Sequence, residues 1–325
     1  MKPAQYPDLR LLINKLEKRN KERQAARVIM AGSVVLGLIV LVSPFLPRSS
    51  APVAVAPTDA VPSNPVDAYA HARLEGKAAI VYDLVTKEVL YQKNAKSQLP
   101  LASLTKLITA YVGATTLTPT SAVAITDSAL AEEGESGLSS GEVFSFTDAA
   151  KLALVASSND AAEAVAEAAA TQKATSGKNL MASAIEAIGL PQTYATNGTG
   201  LDISTTISGG YGSAYDVAQL SGALIKVAPE LAEATTHSNV TVSSKAGVVH
   251  TLSNTNQDVV HIPNLLLSKT GFTDLAGGNL AIVYDAGIGH PVAIVVLGSS
   301  REGRFSDVSS LLSLTRDHFA GIAPK

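Results

Sequence analysis

Ser103 and Lys106 stand three residues apart in the stretch PLASLTKLITA, and on a helix positions i and i+3 are neighbours. A serine hydroxyl is a weak nucleophile until a base takes its proton. A lysine can be that base only when it is neutral, which requires burial or a second cation nearby. A helix N-terminus would add backbone N–H groups aimed at the same place. Taken alone, the spacing equally suits a helix cap beside a lysine that reaches back to water.

Two further stretches carry residue types that match this chemistry. Ser157 and Asn159, in SSND, fall between two helical runs, where such residues also serve as caps. Lys269, Thr270 and Gly271 open SKTGFTDLAGGNL on a predicted strand. Lys269 can supply the second cation, Thr270 can hydrogen-bond a carboxylate, and Gly271 lets backbone approach a ligand closely. The plain alternative is an edge strand running into a turn.

Composition removes other chemistries. The chain of 325 residues has no cysteine, so disulfides, thiolate metal sites and a cysteine nucleophile are excluded. Its six histidines are scattered and form no H-E-x-x-H pattern, so no metal site is expected. A net charge of −3 implies no nucleic-acid partner.

The elements that must position these residues begin after an unusual N-terminus. Residues 1–27 form a basic segment, with eight Lys/Arg against Asp8, Glu17 and Glu22. Residues 28–46 carry no charge and approach the ~20 residues of a membrane-spanning helix. The basic flank places the N-terminus in the cytoplasm and the rest outside. A cleaved signal peptide is the rival, but both its basic and apolar parts would be unusually long here. Residues 47–66, rich in Pro and Ala, read as an extended linker. A catalytic domain is then expected over residues 67–325. Its opening signals are a strand pair, Ala78–Asp83 and Glu88–Gln92, and a helix after Ser103. A mainly helical lobe spans roughly 115–230, with a cap-like Thr147-Asp148 before one run. From Leu265 the pattern turns to strands and closes with a helix. The order implies an α/β (α+β) fold: an antiparallel sheet of about five strands flanked by helices, plus the helical subdomain.

S-x-x-K, S-x-N and K-T-G in this order mark penicillin-binding proteins and class A β-lactamases. Together with GLSSGEVFSFTDAAKLALVASSNDAAEAVAE and IGLPQTYATNGTGLD, they make residues 78–319 resemble the serine-type D-Ala-D-Ala carboxypeptidases. These are low-molecular-weight penicillin-binding proteins of the peptidase S11 family, with a β-lactamase/transpeptidase-like fold. The resemblance implies Ser103 as acylated nucleophile, Lys106 as its base, and Ser157 as proton relay to the leaving amine. Asn159 would hold the substrate amide, Lys269 would tune the electrostatics, and Thr270 would bind the terminal carboxylate. The backbone N–H groups of Ser103 and Phe272 would form the oxyanion hole. An arginine after the last strand would also bind the carboxylate; Arg304 matches best and Arg301 is the near alternative. No cofactor is implied. The implied partners are peptidoglycan stem peptides ending in D-Ala-D-Ala, with β-lactams as covalent inhibitors.

Departures from the family pattern sharpen the reading. Ser158 stands where many members have glycine, and Phe272 where histidine is commoner. The all-β second domain of many relatives is not expected, and the anchor is N-terminal rather than C-terminal. A D,D-endopeptidase shares all the motifs. A β-lactamase would need an E-x-x-L-N loop, which Glu163, Glu167, Glu186, Glu230 and Glu233 do not provide. An inactive wall-binding module would have no use for intact catalytic residues.

Overall fold

A computed structural model describes residues 67–134, 137–287 and 289–321. The basic segment, the apolar run and the linker expected over residues 1–66 lie outside the described residues. Among the described residues, no helix is long and apolar enough to cross a membrane.

Five strands make the central sheet: β1 (Ala78–Asp83), β2 (Val89–Lys93), β10 (Leu265–Thr273), β11 (Gly277–Asp285) and β12 (Pro291–Ser299). Their order is β10-β11-β12-β1-β2, with every neighbouring pair antiparallel. The expected strand count and the antiparallel sense both hold, and β2 lies one residue further along the chain than its pattern suggested.

The near-continuous apolar runs of β1, β11 and β12 are explained by burial on both faces. Ile80, Tyr82, Ala281, Val283, Val295 and Leu297 point toward the large core that contains the helical lobe. Ala79, Val81, Leu280, Ile282, Ile294 and Val296 point the other way, toward Val308, Leu311 and Leu312. Those last three lie on the closing helix α8 (Gly303–Ala320). Each fully buried Val, Leu or Ile contributes about 1.5–3 kcal/mol, so both layers are needed to hold the sheet.

The lobe has its axis in α1 (Lys106–Thr116), packed by α4 (Asn159–Lys173) and α6 (Ala214–Val227). It is not purely helical. Short pairs β4 (Ala122–Ala124) with β5 (Val143–Ser145), and β6 (Tyr194–Ala195) with β7 (Gly210–Gly212), lie within it. A hairpin of β8 (Asn239–Ser243) and β9 (Val249–Ser253), which the sequence pattern did not signal, precedes β10.

Two local details differ from expectation. Ser103 does not begin an α-helix; it sits in a 3-10 turn, Ala102–Thr105, and the α-helix starts at Lys106. The helix α3 (Phe146–Val155) is capped by Ser145, whose side chain accepts from the Asp148 N–H, and Thr147 and Asp148 lie inside the helix. Ser145 ends a strand as it starts the helix, so alternation masked the cap.

Candidate active site

The turn that carries Ser103 is held in an uncommon backbone shape. Ala102 has φ of +48°, a conformation that costs a non-glycine residue on the order of 1–3 kcal/mol. Asn279 of β11 offsets that cost. Its fully buried amide donates to the carbonyls of Pro100 and Leu101, at 3.0 Å each, and accepts from the Gly298 N–H at 2.8 Å. Gly271 brings β10 against the same turn. A Cβ there would lie 2.9 Å from the Leu101 carbonyl and 3.2 Å from the Ser103 nitrogen. The glycine thus serves approach to the backbone of Leu101 and Ser103, where the sequence suggested approach to a ligand. On the far side, Gly200 has φ of +77°, and a Cβ there would collide with the Ala102 carbonyl.

Lys106 is completely buried at the head of α1. Its Nζ lies 2.7 Å from Ser103 Oγ, 2.6 Å from Asn159 Oδ1 and 3.0 Å from the Thr199 carbonyl. A neutral amine has two N–H donors and one lone pair. The Asn159 and Thr199 oxygens are obligate acceptors and take the two donors. The lone pair is then left for the Ser103 hydroxyl. Burial pushes the Lys106 pKa down to about 7, opposed by the negative charge of Glu132. The second cation expected to neutralise Lys106 is therefore not the main cause, since burial is.

SSND serves as both cap and site. Ser158 caps α4 by accepting from the Ala161 N–H at 3.1 Å. Ser157, one residue earlier, adopts φ of +60°. That twist sends the Ser157 hydroxyl to within 2.8 Å of Lys269 Nζ. Lys269 also donates to the Thr270 carbonyl at 2.9 Å and is almost completely buried. Burial, then the charges of Lys106 and Arg304, hold its pKa well below the ordinary lysine value.

The remaining expected residues are present with partners of their own. Asn159 donates its amide to the Glu133 carbonyl. Thr270 Oγ1 donates to Thr255 Oγ1 at 2.6 Å. Arg304 donates to the Gly271 carbonyl at 2.8 Å, and its Nε has no partner among the described residues. The Arg301 guanidinium lies over the Phe272 ring, 3.8 Å from its centroid.

Four participants were not identified from sequence. Thr199 is the threonine of the NGTG turn, whose glycines were the available signal. Glu132 accepts weakly from Thr199 Oγ1 at 3.4 Å and acts on Lys106 by charge. Thr255 is held by its N–H on the Val155 carbonyl at 3.1 Å, beside Asn256, which accepts from the Asp258 N–H and donates to Ser268 Oγ. Asn279 was visible only as a polar residue inside an apolar strand, and that was its signal.

Two serine–lysine contacts lie beside the edge strand of an antiparallel sheet, one of them on a 3-10 turn, and such an arrangement can supply a serine nucleophile with a lysine as its base. The family profile of D-alanyl-D-alanine carboxypeptidases, peptidase S11, matches residues 65–301, and the chain belongs to that family. Arg304 lies just beyond the matched stretch. The chain is 29% identical over 266 residues to the D-alanyl-D-alanine carboxypeptidase DacD of Salmonella typhimurium, a match covering 77% of this chain and 65% of the relative. It is 30% identical over 249 residues to a D-alanyl-D-alanine endopeptidase of Pseudomonas aeruginosa, covering 73% and 76%. Among solved structures, penicillin-binding protein D2 of Listeria monocytogenes in its ampicillin-bound form superposes with a TM-score of 0.64 at 27% identity. That match covers 74% of this chain and 97% of that one.

Proposed function

We propose that this protein is a membrane-anchored D-Ala-D-Ala carboxypeptidase that removes the terminal D-alanine from peptidoglycan stem peptides. The observation that carries the reading is the buried Lys106 amine, 2.7 Å from Ser103 Oγ with its two other contacts both to obligate acceptors.

In this reading Ser103 Oγ bonds to the penultimate D-alanine carbonyl carbon while its proton passes to Lys106 Nζ. The oxyanion is held by the Ser103 and Phe272 N–H groups. The C–N bond then breaks as Ser157 relays the proton held by Lys106 to the departing amine, so Lys106 is neutral again, Ser157 keeps a hydroxyl, and one proton has travelled from nucleophile to leaving group. Water attacks the acyl-enzyme, releasing the shortened peptide and restoring the Ser103 hydroxyl. Asn159 exchanges the Glu133 carbonyl for the substrate amide carbonyl. Thr270 and Arg304 take the terminal carboxylate. A β-lactam reacts at the same carbon type and stays as the acyl adduct, and the ampicillin-bound relative supports this. The apolar run 28–46 would hold the domain outside the membrane on its linker.

Intact-mass spectrometry after brief penicillin exposure tests the assignment, combined with D-alanine release from a pentapeptide. One adduct on Ser103 is expected, absent in Ser103→Ala. An adduct that persists in that variant would refute the nucleophile. The endopeptidase relative supports a second reading, cleavage of cross-links by the same residues. Products from dimeric muropeptides separate the two.

A further inference from the structure

Four cations converge on the Gly271 corner of the site: Lys106, Lys269, Arg304 and Arg301. Among the described residues, none of the four lies within ion-pair distance of a carboxylate. Lys106 and Lys269 belong to the proton chemistry, and Arg304 is largely buried and bonded to the Gly271 carbonyl. Arg301 is different. It is exposed, and its only described contact is the Phe272 ring beneath it. The proposed reaction uses a single carboxylate, on Thr270 and Arg304, and leaves Arg301 without a task.

The stack suits Arg301 to a task of its own. A guanidinium over an aromatic face gains cation–π attraction through that face. Its in-plane edge keeps its N–H donors for bidentate recognition of a carboxylate. The ring also fixes the side chain in place, so less conformational freedom is lost on binding. The position is informative as well. Phe272 lies two residues beyond Thr270 on β10, so its ring, with Arg301 upon it, is on the strand face that Thr270 presents, while Gly271 between them meets the Ser103 backbone. Arg301 is near enough to Arg304 to depress its pKa further, second to burial. A ligand carrying two negative groups would relieve that repulsion.

We propose that Arg301, seated on Phe272, is a second anion-binding position on the leaving-group side of the cleft, selecting peptides whose departing part carries a carboxylate beyond the terminal one. This rests on the assignment of Thr270 and Arg304 to the terminal carboxylate. A single departing D-alanine has one carboxylate. The acidic arm of a cross-linked peptide has more, so the second position favours the longer leaving group.

The test uses the full chain carrying Ser103→Ala, which binds without reacting. Calorimetry compares two acylated peptides that end in D-Ala-D-Glu and D-Ala-D-Gln, equal in shape and different by one charge. The D-Glu peptide is expected to bind about fivefold tighter at low salt. The preference should shrink at about 0.5 M salt. Adding Arg301→Gln should abolish it, Arg301→Lys should keep part of it, and Phe272→Leu, which keeps the backbone N–H, should weaken it. Thermal melts check that each variant is folded. Equal affinities, no measurable binding of either peptide, or a preference that survives Arg301→Gln would overturn the proposal. Acylation of the native chain by penicillin is read separately. Its absence would remove the proposed enzyme activity while leaving the affinity ratio as the measure of the anion position.

Discussion

The two serine–lysine contacts of the site have nearly the same length, 2.7 Å for Ser103–Lys106 and 2.8 Å for Ser157–Lys269, yet they sit in opposite electrostatic surroundings. Lys106 is ringed by acceptors, with Asn159, Thr199 and, further out, the Glu132 carboxylate. Lys269 feels the positive charges of Lys106 and Arg304. Burial depresses both amines. Burial brings Lys106 down to about 7 while its acceptors leave its lone pair directed at Ser103, and at Lys269 the charges of Lys106 and Arg304 add to burial in disfavouring the charged form. Similar residue pairs thus take different parts because of what surrounds them. Lys106 is suited to cycle a proton, and Lys269 to set the field at Ser157 and the leaving group.

The most demanding way to break this comparison is to remove each lysine in turn. Lys106→Met should slow acylation by a β-lactam by about 10³-fold or more, within the usual range for a lost general base. Lys269→Met should cost less, about 10²-fold. Stopped-flow acylation of both variants decides it, and a larger loss in Lys269→Met would reverse the roles.

Next in size is the pH response. With Lys106 depressed to about 7, the acylation rate should climb through pH 7 as the amine loses its proton. The same shift has a stability consequence. In the unfolded chain Lys106 keeps its proton up to its ordinary value, whereas in the folded chain it has lost it above about 7. Between these values the unfolded state binds more protons, so stability rises with pH across that window. Chemical denaturation at several pH values should show the rise, flattened in Lys106→Met. An unchanged slope in that variant would mean the rise comes from other groups.

A smaller effect is expected from Glu132→Gln. Its carboxylate favours the charged form of Lys106, so its loss should move the rising limb to lower pH and speed acylation at pH 6 about two- to threefold. If the variant only loosened the site and let water reach Lys106, the limb would move up instead. The direction therefore separates charge from packing. The mildest change is Thr255→Val, which removes the hydroxyl that fixes Thr270. It should raise KM for carboxylate-ended peptides a few-fold with little change in kcat, read by steady-state kinetics.

Much of the site was legible because its strongest pair is local. Ser103 and Lys106 lie one turn apart, and Ser157 and Asn159 flank a cap, so their spacing allowed shared chemistry, and the three motifs together pointed to it. The apolar runs of β1, β11 and β12 likewise marked strands of the central sheet. Asn279, Thr255 and Glu132 were not legible. Each acts through a contact made elsewhere in the sequence, such as the Asn279 amide on the Leu101 carbonyl, and although Asn279 stood out as a polar residue in an apolar strand, nothing local showed what any of the three touches. The hairpin before β10 was missed because its strands are half exposed and rich in Ser and Thr, which blurs alternation.

The order of residues by itself determined which groups could react, the family they resemble and the layers that would carry them, because these follow from short-range spacing and from hydrophobic periodicity. Only the folded chain decided that Lys106 is fully enclosed, that Lys269 meets Ser157, and that Arg301 rests on Phe272. Proton affinity and electric field depend on solvent exclusion and on distances through space, and those exist only once distant segments have packed together.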